Sequence, residues 1–193
     1  MAPRKVVILP PQYLPTAEWF AALAGADLAV VDADMRYDKR RKSVHRAYVK
    51  GQHGLFAITV PVSHASGIRT WAQATVSDHG HWWTVHCGAI ESAYARTPYF
   101  EHYWPMLRPL IASQAVSESV TLFDSRIEAV LRRIIGITVP VSATLPPGTD
   151  PDCITDLRRH NFDGETVLDT IFSHGPNAAS YLNNLSGLLT KQP

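Results

Sequence analysis

Four consecutive apolar residues, Val6-Val7-Ile8-Leu9, run straight into Pro10-Pro11, and this constrains the fold more than any other feature of the chain. A short β-branched run that proline stops is the pattern of a strand buried on both faces. Thr16 is placed to cap a helix from Ala17 to about Ala24, with Gly25 near its end. A second buried run, Leu28-Ala29-Val30-Val31, then leads into Asp32 and Asp34. Strand, helix and strand in this order predict a parallel βαβ unit, and such sheets carry their sites just past the carboxyl ends of the strands. The Pro10–Pro15 and Asp32–Tyr37 segments both fall at that edge.

The later pattern is mixed. His45–Lys50 and Leu55–Val62 read as two strands joined through Gly51-Gln52-His53-Gly54, and Ser63–His81 is irregular. From His81 the spacing turns helical: Trp82, His86, Ala89, Ile90 and Ala93 share one face. A second helix is expected over about Phe100–Ala112. A third, Ser119–Ile135, carries the stripe Val120, Phe123, Ile127, Val130, Leu131 and Ile134; it reads as a core helix without chemical content, stopped by Gly136. Val139–Leu145 reads as a strand, Pro151–Arg159 as a short helix, Val167–Phe172 as strand or helix, and Gly175-Pro176-Asn177 as a turn. The expected fold is therefore α/β: a mostly parallel or mixed sheet starting with a βαβ unit, with a helical segment (about 80–135) packed on it. No linker divides the chain, so residues 1–193 are expected to form a single domain.

Composition narrows the partners. With 18 Lys+Arg against 17 Asp+Glu, no global field draws the chain to nucleic acid or to an anionic membrane. Its aromatics are scattered rather than interleaved with a basic stripe. Cys87 and Cys153 match no zinc spacing and no disulfide framework, which suits a reducing cytoplasm. The apolar run at the N-terminus is too short for a signal peptide or a membrane span. His79 and His81 form an H-x-H pair with His64 upstream, but no carboxylate or cysteine completes a ligand set, so no metal is expected. No G-x-G-x-x-G, P-loop or G-x-S-x-G occurs, and no cofactor is called for. A small-molecule substrate is the remaining expectation.

Several residues carry candidate chemistry. His86 sits on an apolar helical face, either as a core histidine with a fixed partner or as a general base or acid. Cys87 follows it, and a thiolate beside an imidazolium would form an acyl-enzyme; adjacent helical residues diverge by about 100°, which speaks for a core filler instead. His45 reaches Cys87 only through tertiary contact. His45 and Arg46 alternate across a strand, so one of them faces any site. Arg46 can clamp a carboxylate or phosphate at two points or form a surface ion pair. Asp34 binds a hydroxyl or amine, or caps its loop. Gln12 and Tyr13 offer hydrogen bonds from a rigid turn, or simply pack it. The basic run Arg36, Lys39, Arg40, Arg41 and Lys42, interrupted by Tyr37 and Asp38, is a solvated loop or an anion-binding one.

Taken in order, several segments resemble the WbqC-like protein family. They are Pro11-Gln12-Tyr13-Leu14-Pro15 with Trp19-Phe20; Gly25-Ala26-Asp27, the strand and Asp34, followed by a basic stretch and His45-Arg46; and Leu55–Val62 with its closing Pro-Val. Further along come Trp83, His86, Ile90, Tyr94 and Thr97-Pro98-Tyr99-Phe100, then Ser173, Gly175, Tyr181 and Leu182. His45 stands where members usually carry Asn, and the basic stretch is unusually basic. The resemblance implies a role in small-molecule biosynthesis. Joined to the residues above, it leads to an expected acyl or aminoacyl transfer (or the reverse cleavage or cyclisation) on an amine or hydroxyl of an amino sugar or specialised metabolite. His86 would move the proton, while Gln12, Tyr13, Asp34, Tyr37 and Arg46 shape the pocket. The donor would ride on a carrier protein or coenzyme A. A Cys87 acyl-enzyme and a non-catalytic small-molecule-binding scaffold are the alternatives.

Overall fold

A computed structural model of the chain describes residues 5–63, 67–113 and 115–189. Strand β1 (Val6–Leu9) runs parallel to β2 (Leu28–Val31), in register Val6↔Leu28 to Leu9↔Val31, with helix α1 (Ala17–Ala24) between them. The Thr16 hydroxyl accepts from the Trp19 amide at 3.2 Å, closing the first turn as its position foretold. Two short strands complete the sheet. β5 (Val141–Ser142) pairs in parallel with β2, and β6 (Ile154–Asp156) pairs in parallel with β1, giving the order β5-β2-β1-β6.

The alternation of β1 decides what each face of this sheet meets. Val7 and Leu9 point into the main core with Ala29, whereas Val6 and Ile8 form a smaller separate cluster with Val30. All four β1 side chains are buried, which explains why the run reads as continuous rather than alternating.

The predicted hairpin forms, but apart from the parallel sheet. β3 (Arg46–Gly51) and β4 (Gly54–Thr59) are antiparallel and close around Gln52-His53. His45 is not in the strand: it ends a short 3₁₀ turn over Lys42–Val44. The helical segment consists of α2 (Trp82–Tyr94), α3 (Phe100–Ile111) and α4 (Val120–Ile135). α2 lies on β3 and β4, and α4 packs on α3. Gly136 ends α4 at φ 83°, the left-handed cap that glycine adopts without penalty.

In the tail one reading is overturned, one is resolved to helix, and one further helix appears. Residues 151–159 hold a 3₁₀ turn and strand β6 rather than a helix, because Ile154-Thr155-Asp156 finds an open β1 edge that no local pattern reveals. Val167–His174 is helix α5, capped by Thr166. Helix α6 (Ala178–Leu189) follows and packs against α1. His64 lies outside the described residues.

Gly175 joins α5 to α6 at φ 52° and ψ −121°, and a Cβ there would sit 2.6 Å from carbons of the Tyr99 ring. Gly175→Ala combines backbone strain with a ring clash and is expected to cost about 2–4 kcal/mol. A fall in the urea midpoint would show it; an unchanged midpoint would mean that the tail is not held against Tyr99.

Candidate functional site

In the order β5-β2-β1-β6 the chain leaves β1 toward β2 on one side and returns to β6 on the other. The crevice past the carboxyl ends of β1 and β6 is therefore a topological switch point, the place where open α/β sheets take ligands. Here the loop after β1 supplies Gln12 and the loop after β6 supplies Asn161. Gln12 is buried, donates from Nε2 to the Phe162 carbonyl at 3.1 Å, and accepts from the Thr16 amide at 3.4 Å. Its amide fixes the spacing of the two walls. Arg40, Arg41, Lys42 and Arg46 close the other side of a cavity of about 220 Å³. Arg46 Nε donates to Thr59 Oγ1 at 2.9 Å, which orients its guanidinium. Among the described residues Arg41, Lys42 and Arg46 form no ion pair.

Arg40 and Arg41 also border a wider cleft of about 1140 Å³, with exposed Asp34 and half-buried Tyr37 on its wall. Its floor is an ion cluster. Arg158 meets Asp156 at 2.7 Å and Asp32 at 3.0 Å, bridging the ends of β6 and β2 across β1. That pairing holds the Asp156 carboxyl below its ordinary range and raises the Arg158 guanidinium. Asp34 directs its amide to Asp32 Oδ1 at 3.1 Å, so the acidic turn is partly self-bonded.

Lys42 leads from the switch-point cavity into a third, of about 480 Å³, walled by Tyr37, Lys39 and His45. The Nδ1 nitrogen of His45 donates to the Val60 carbonyl at 3.0 Å. The Trp71 ring backs both His45 and Tyr37, with centroids 5.8 and 4.7 Å away. The strand alternation that was to separate His45 from Arg46 does not apply, since His45 precedes β3. Thr59, the partner of Arg46, walls the His45 cavity.

His86 occupies a different environment. It is 2% exposed, and its Nδ1 is hydrogen-bonded to the Tyr13 hydroxyl at 2.9 Å. Burial lowers its pKa to about 4. Tyr13, fully buried, is pushed well above its usual value by burial, then by Asp124 and Cys87. Cys87 is buried, and burial raises its thiol. The structure thus brings Gln12, Arg46, Tyr37, Asp34 and His45 to one connected edge. Tyr13 and His86 form a hydrogen-bonded pair beneath it, and Cys87 lines none of the three cavities.

The WbqC-like protein family model matches residues 10–160, from the loop after β1 to the loop after β6. The chain belongs to the WbqC-like family. This WbqC-like protein is also 27% identical over 182 residues to "Uncharacterized protein Rv1507c" of Mycobacterium tuberculosis (strain ATCC 25618 / H37Rv), covering 93% of the chain and 76% of that relative. No solved structure matches it significantly. Among the described residues no helix is long and apolar enough to cross a membrane, and no three His, Cys, Asp or Glu side chains gather in a way that could hold a metal ion.

Two features of this WbqC-like protein escape the sequence reading. The Asp32–Arg158–Asp156 cluster depends on β6, whose three residues leave no period to detect. α4 is not free of chemistry: Asp124 is 3% exposed with neither carboxylate oxygen hydrogen-bonded among the described residues, and buried Glu128 pairs with Arg132 at 2.5 Å. The spacing did hold a signal, because Val120, Asp124, Ile127 and Leu131 follow the four-three-four rhythm of the buried stripe. Burial raises the Asp124 pKa well above normal.

These shifts fix two opposite pH dependences. His86 has a folded pKa below its unfolded one, so its contribution is present above about pH 6.5 and is lost as pH falls toward 4; at full extent this amounts to roughly 3 kcal/mol. Asp124 has a raised folded pKa, so its contribution is intact below about pH 4 and is lost as pH rises. Asp124→Asn is therefore expected to gain denaturant resistance over the wild type increasingly from pH 4 to pH 8. His86→Phe is expected to flatten the wild-type loss between pH 6.5 and 4. Parallel stability curves for either variant would contradict the burial of that group.

Proposed function

We propose that this WbqC-like protein is a small-molecule biosynthetic enzyme that transfers an acyl or aminoacyl group from an anionic donor to an amine or hydroxyl. The observation that carries the reading is the unpaired cationic wall, Arg41, Lys42 and Arg46, at the switch point, joined through Lys42 to the cavity that holds His45. Arg40, Arg41, Lys42 and Arg46 outnumber the one carboxylate, Asp163, around this small cavity, which suits a phosphate or carboxylate head, and Arg46 is already held by Thr59 for two-point contact. His45, its Nδ1 donating to the Val60 carbonyl, takes the proton from the acceptor as that nucleophile attacks the donor carbonyl. When the carbon–sulfur bond of a thioester donor breaks, the leaving thiolate takes the proton back, so His45 ends neutral. Tyr37 and Asp34, on the adjoining wall, are placed for polar groups of the acceptor.

His45 is preferred to His86 as the proton-transfer residue for a physical reason. His86 is 2% exposed with its Nδ1 held by the Tyr13 hydroxyl, and its pKa near 4 leaves a weak base at neutral pH. A Cys87 acyl-enzyme draws no support from a thiol that burial keeps protonated.

Inorganic pyrophosphate is the probe for the head site. Arg46→Ala is expected to weaken its binding by about tenfold or more, the scale of one lost charge-assisted contact. His45→Ala should leave pyrophosphate affinity within about twofold and lower acyl transfer by about 10²–10⁴, followed as thiol release from acyl-coenzyme A with amine acceptors. Tight pyrophosphate binding without any thiol release would favour the non-catalytic binding protein. Unaltered binding in Arg46→Ala would remove the head site from this crevice.

A further inference from the structure

A fourth cavity, of about 370 Å³, opens where β4 meets the first turn of α2. Its wall is mainly apolar: Ala57, Ile58, Pro61, Trp82 and Val85, with His86 as the polar floor. Val85, in the first turn of α2, is 61% exposed and so presents its methyl groups at the open side of the cavity. The cavity is continuous with the His45 cavity, because Thr59, Pro61 and His79 border both. A ligand lying along this path meets cations at Arg41, Lys42 and Arg46, polar groups at His45 and Thr59, and then hydrocarbon.

We infer that this groove receives the acyl chain of a coenzyme A thioester whose phosphates lie on the cationic crevice. The inference rests on the acyl-transfer reading above and narrows it to donors with a chain long enough to leave the His45 cavity. The sequence of environments selects the occupant. An anionic head, a polar connector and an apolar tail occur in that order in an acyl thioester of coenzyme A, and the thioester carbonyl then falls beside His45. The groove is built from rigid parts. Ile58 and Trp82 are buried, Trp82 is fixed by its Nε1 donation to the Ser77 carbonyl at 3.2 Å, and its ring stands edge-on to His86 with centroids 5.0 Å apart. A preformed apolar wall of this kind binds hydrocarbon without first having to order itself.

The test compares acetyl-, butyryl- and octanoyl-coenzyme A on the full chain, with pyrophosphate as the head-group control. In the wild type the affinity should rise by roughly two- to fourfold per methylene until the groove is filled, as expected for burying each methylene. Val85→Asp places a charge on an exposed helical position, so the fold should survive. It is expected to flatten that rise while leaving pyrophosphate affinity unchanged, and Ala57→Glu on the opposite wall should act likewise. Equal affinity for the three thioesters, with pyrophosphate still bound and weakened by Arg46→Ala, would overturn the groove assignment and leave the head site standing. If neither pyrophosphate nor any thioester binds, both readings fall together. A chain-length rise that both variants leave intact would place the chain elsewhere. Sedimentation as a dimer that Val85→Asp dissociates would show the face to be covered by a second copy instead.

Discussion

The turn from Pro10 to Pro15 ties together parts of the molecule that have no other reason to meet. Its three prolines supply no N–H groups, which lowers the number of donors that burial must satisfy. Three of the donors it keeps, the Tyr13 amide, the Gln12 side chain and the Tyr13 hydroxyl, bond to distant segments. The Tyr13 amide bonds the Val44 carbonyl at 3.1 Å, anchoring the end of the basic segment. The Gln12 side chain holds the loop after β6, and the Tyr13 hydroxyl reaches α2 through His86. Trp19 returns from α1 to the Pro10 carbonyl at 3.0 Å. Each bond contributes about 1 kcal/mol net, but an orphaned partner would cost about 1–3 kcal/mol, so the bonds are hard to lose singly. Leu14, fully buried at φ 43°, carries backbone strain that only such a web can hold in place. The cationic crevice exists because this turn keeps its walls apart.

What lies beneath that crevice matters as much as what lines it. Tyr13, His86 and Asp124 are all ionisable, and burial drives each toward its neutral form: phenol, imidazole and carboxylic acid. The unbonded carboxyl of Asp124 is a cost to the core, and when ionised its charge acts on the Tyr13 phenol. Sequences depart from what stability alone would favour most often near functional groups.

The opening βαβ unit was legible because its signals are local: a proline-stopped run, a threonine cap and a second run carry their own periodicity. The three helices from 82 to 135 were legible for the same reason. What could not be read depends on pairing between distant segments. β6 has three residues, too few to show a period, and becomes a strand only because β1 offers an open edge; β5 lies within the strand read over Val139–Leu145, but its pairing with β2 has no local sign. Without β6 there is no switch point in the sequence, so the loop at Asn161–Gly164 and the Arg158 cluster stay invisible. The candidate residues fared in the same way. Gln12 was read in the turn after β1 and Arg46 in a strand, and both line the crevice, whereas His45 ends a 3₁₀ turn and His86 is buried, neither of which alternation along a supposed strand could supply.

The cations of the crevice are unequal, and the inequality follows from their neighbours. Arg40 is answered by Asp38 at 3.2 Å and Arg158 by two aspartates, so both are committed to the fold. Lys42 is exposed and must lose side-chain freedom on contact, which limits what it adds to affinity and leaves its attraction open to screening by salt. Arg46 is half-buried, and its Nε bond to Thr59 has already restricted its rotamers during folding. Its ordering cost is therefore largely met before any ligand arrives, and a planar guanidinium held this way discriminates by geometry as well as by charge. Because Thr59 also walls the His45 cavity and the apolar groove, one threonine aligns the anion contact with both. In the proposed reaction, recognition of the head and placement of the reacting carbonyl both depend on this single position on β4.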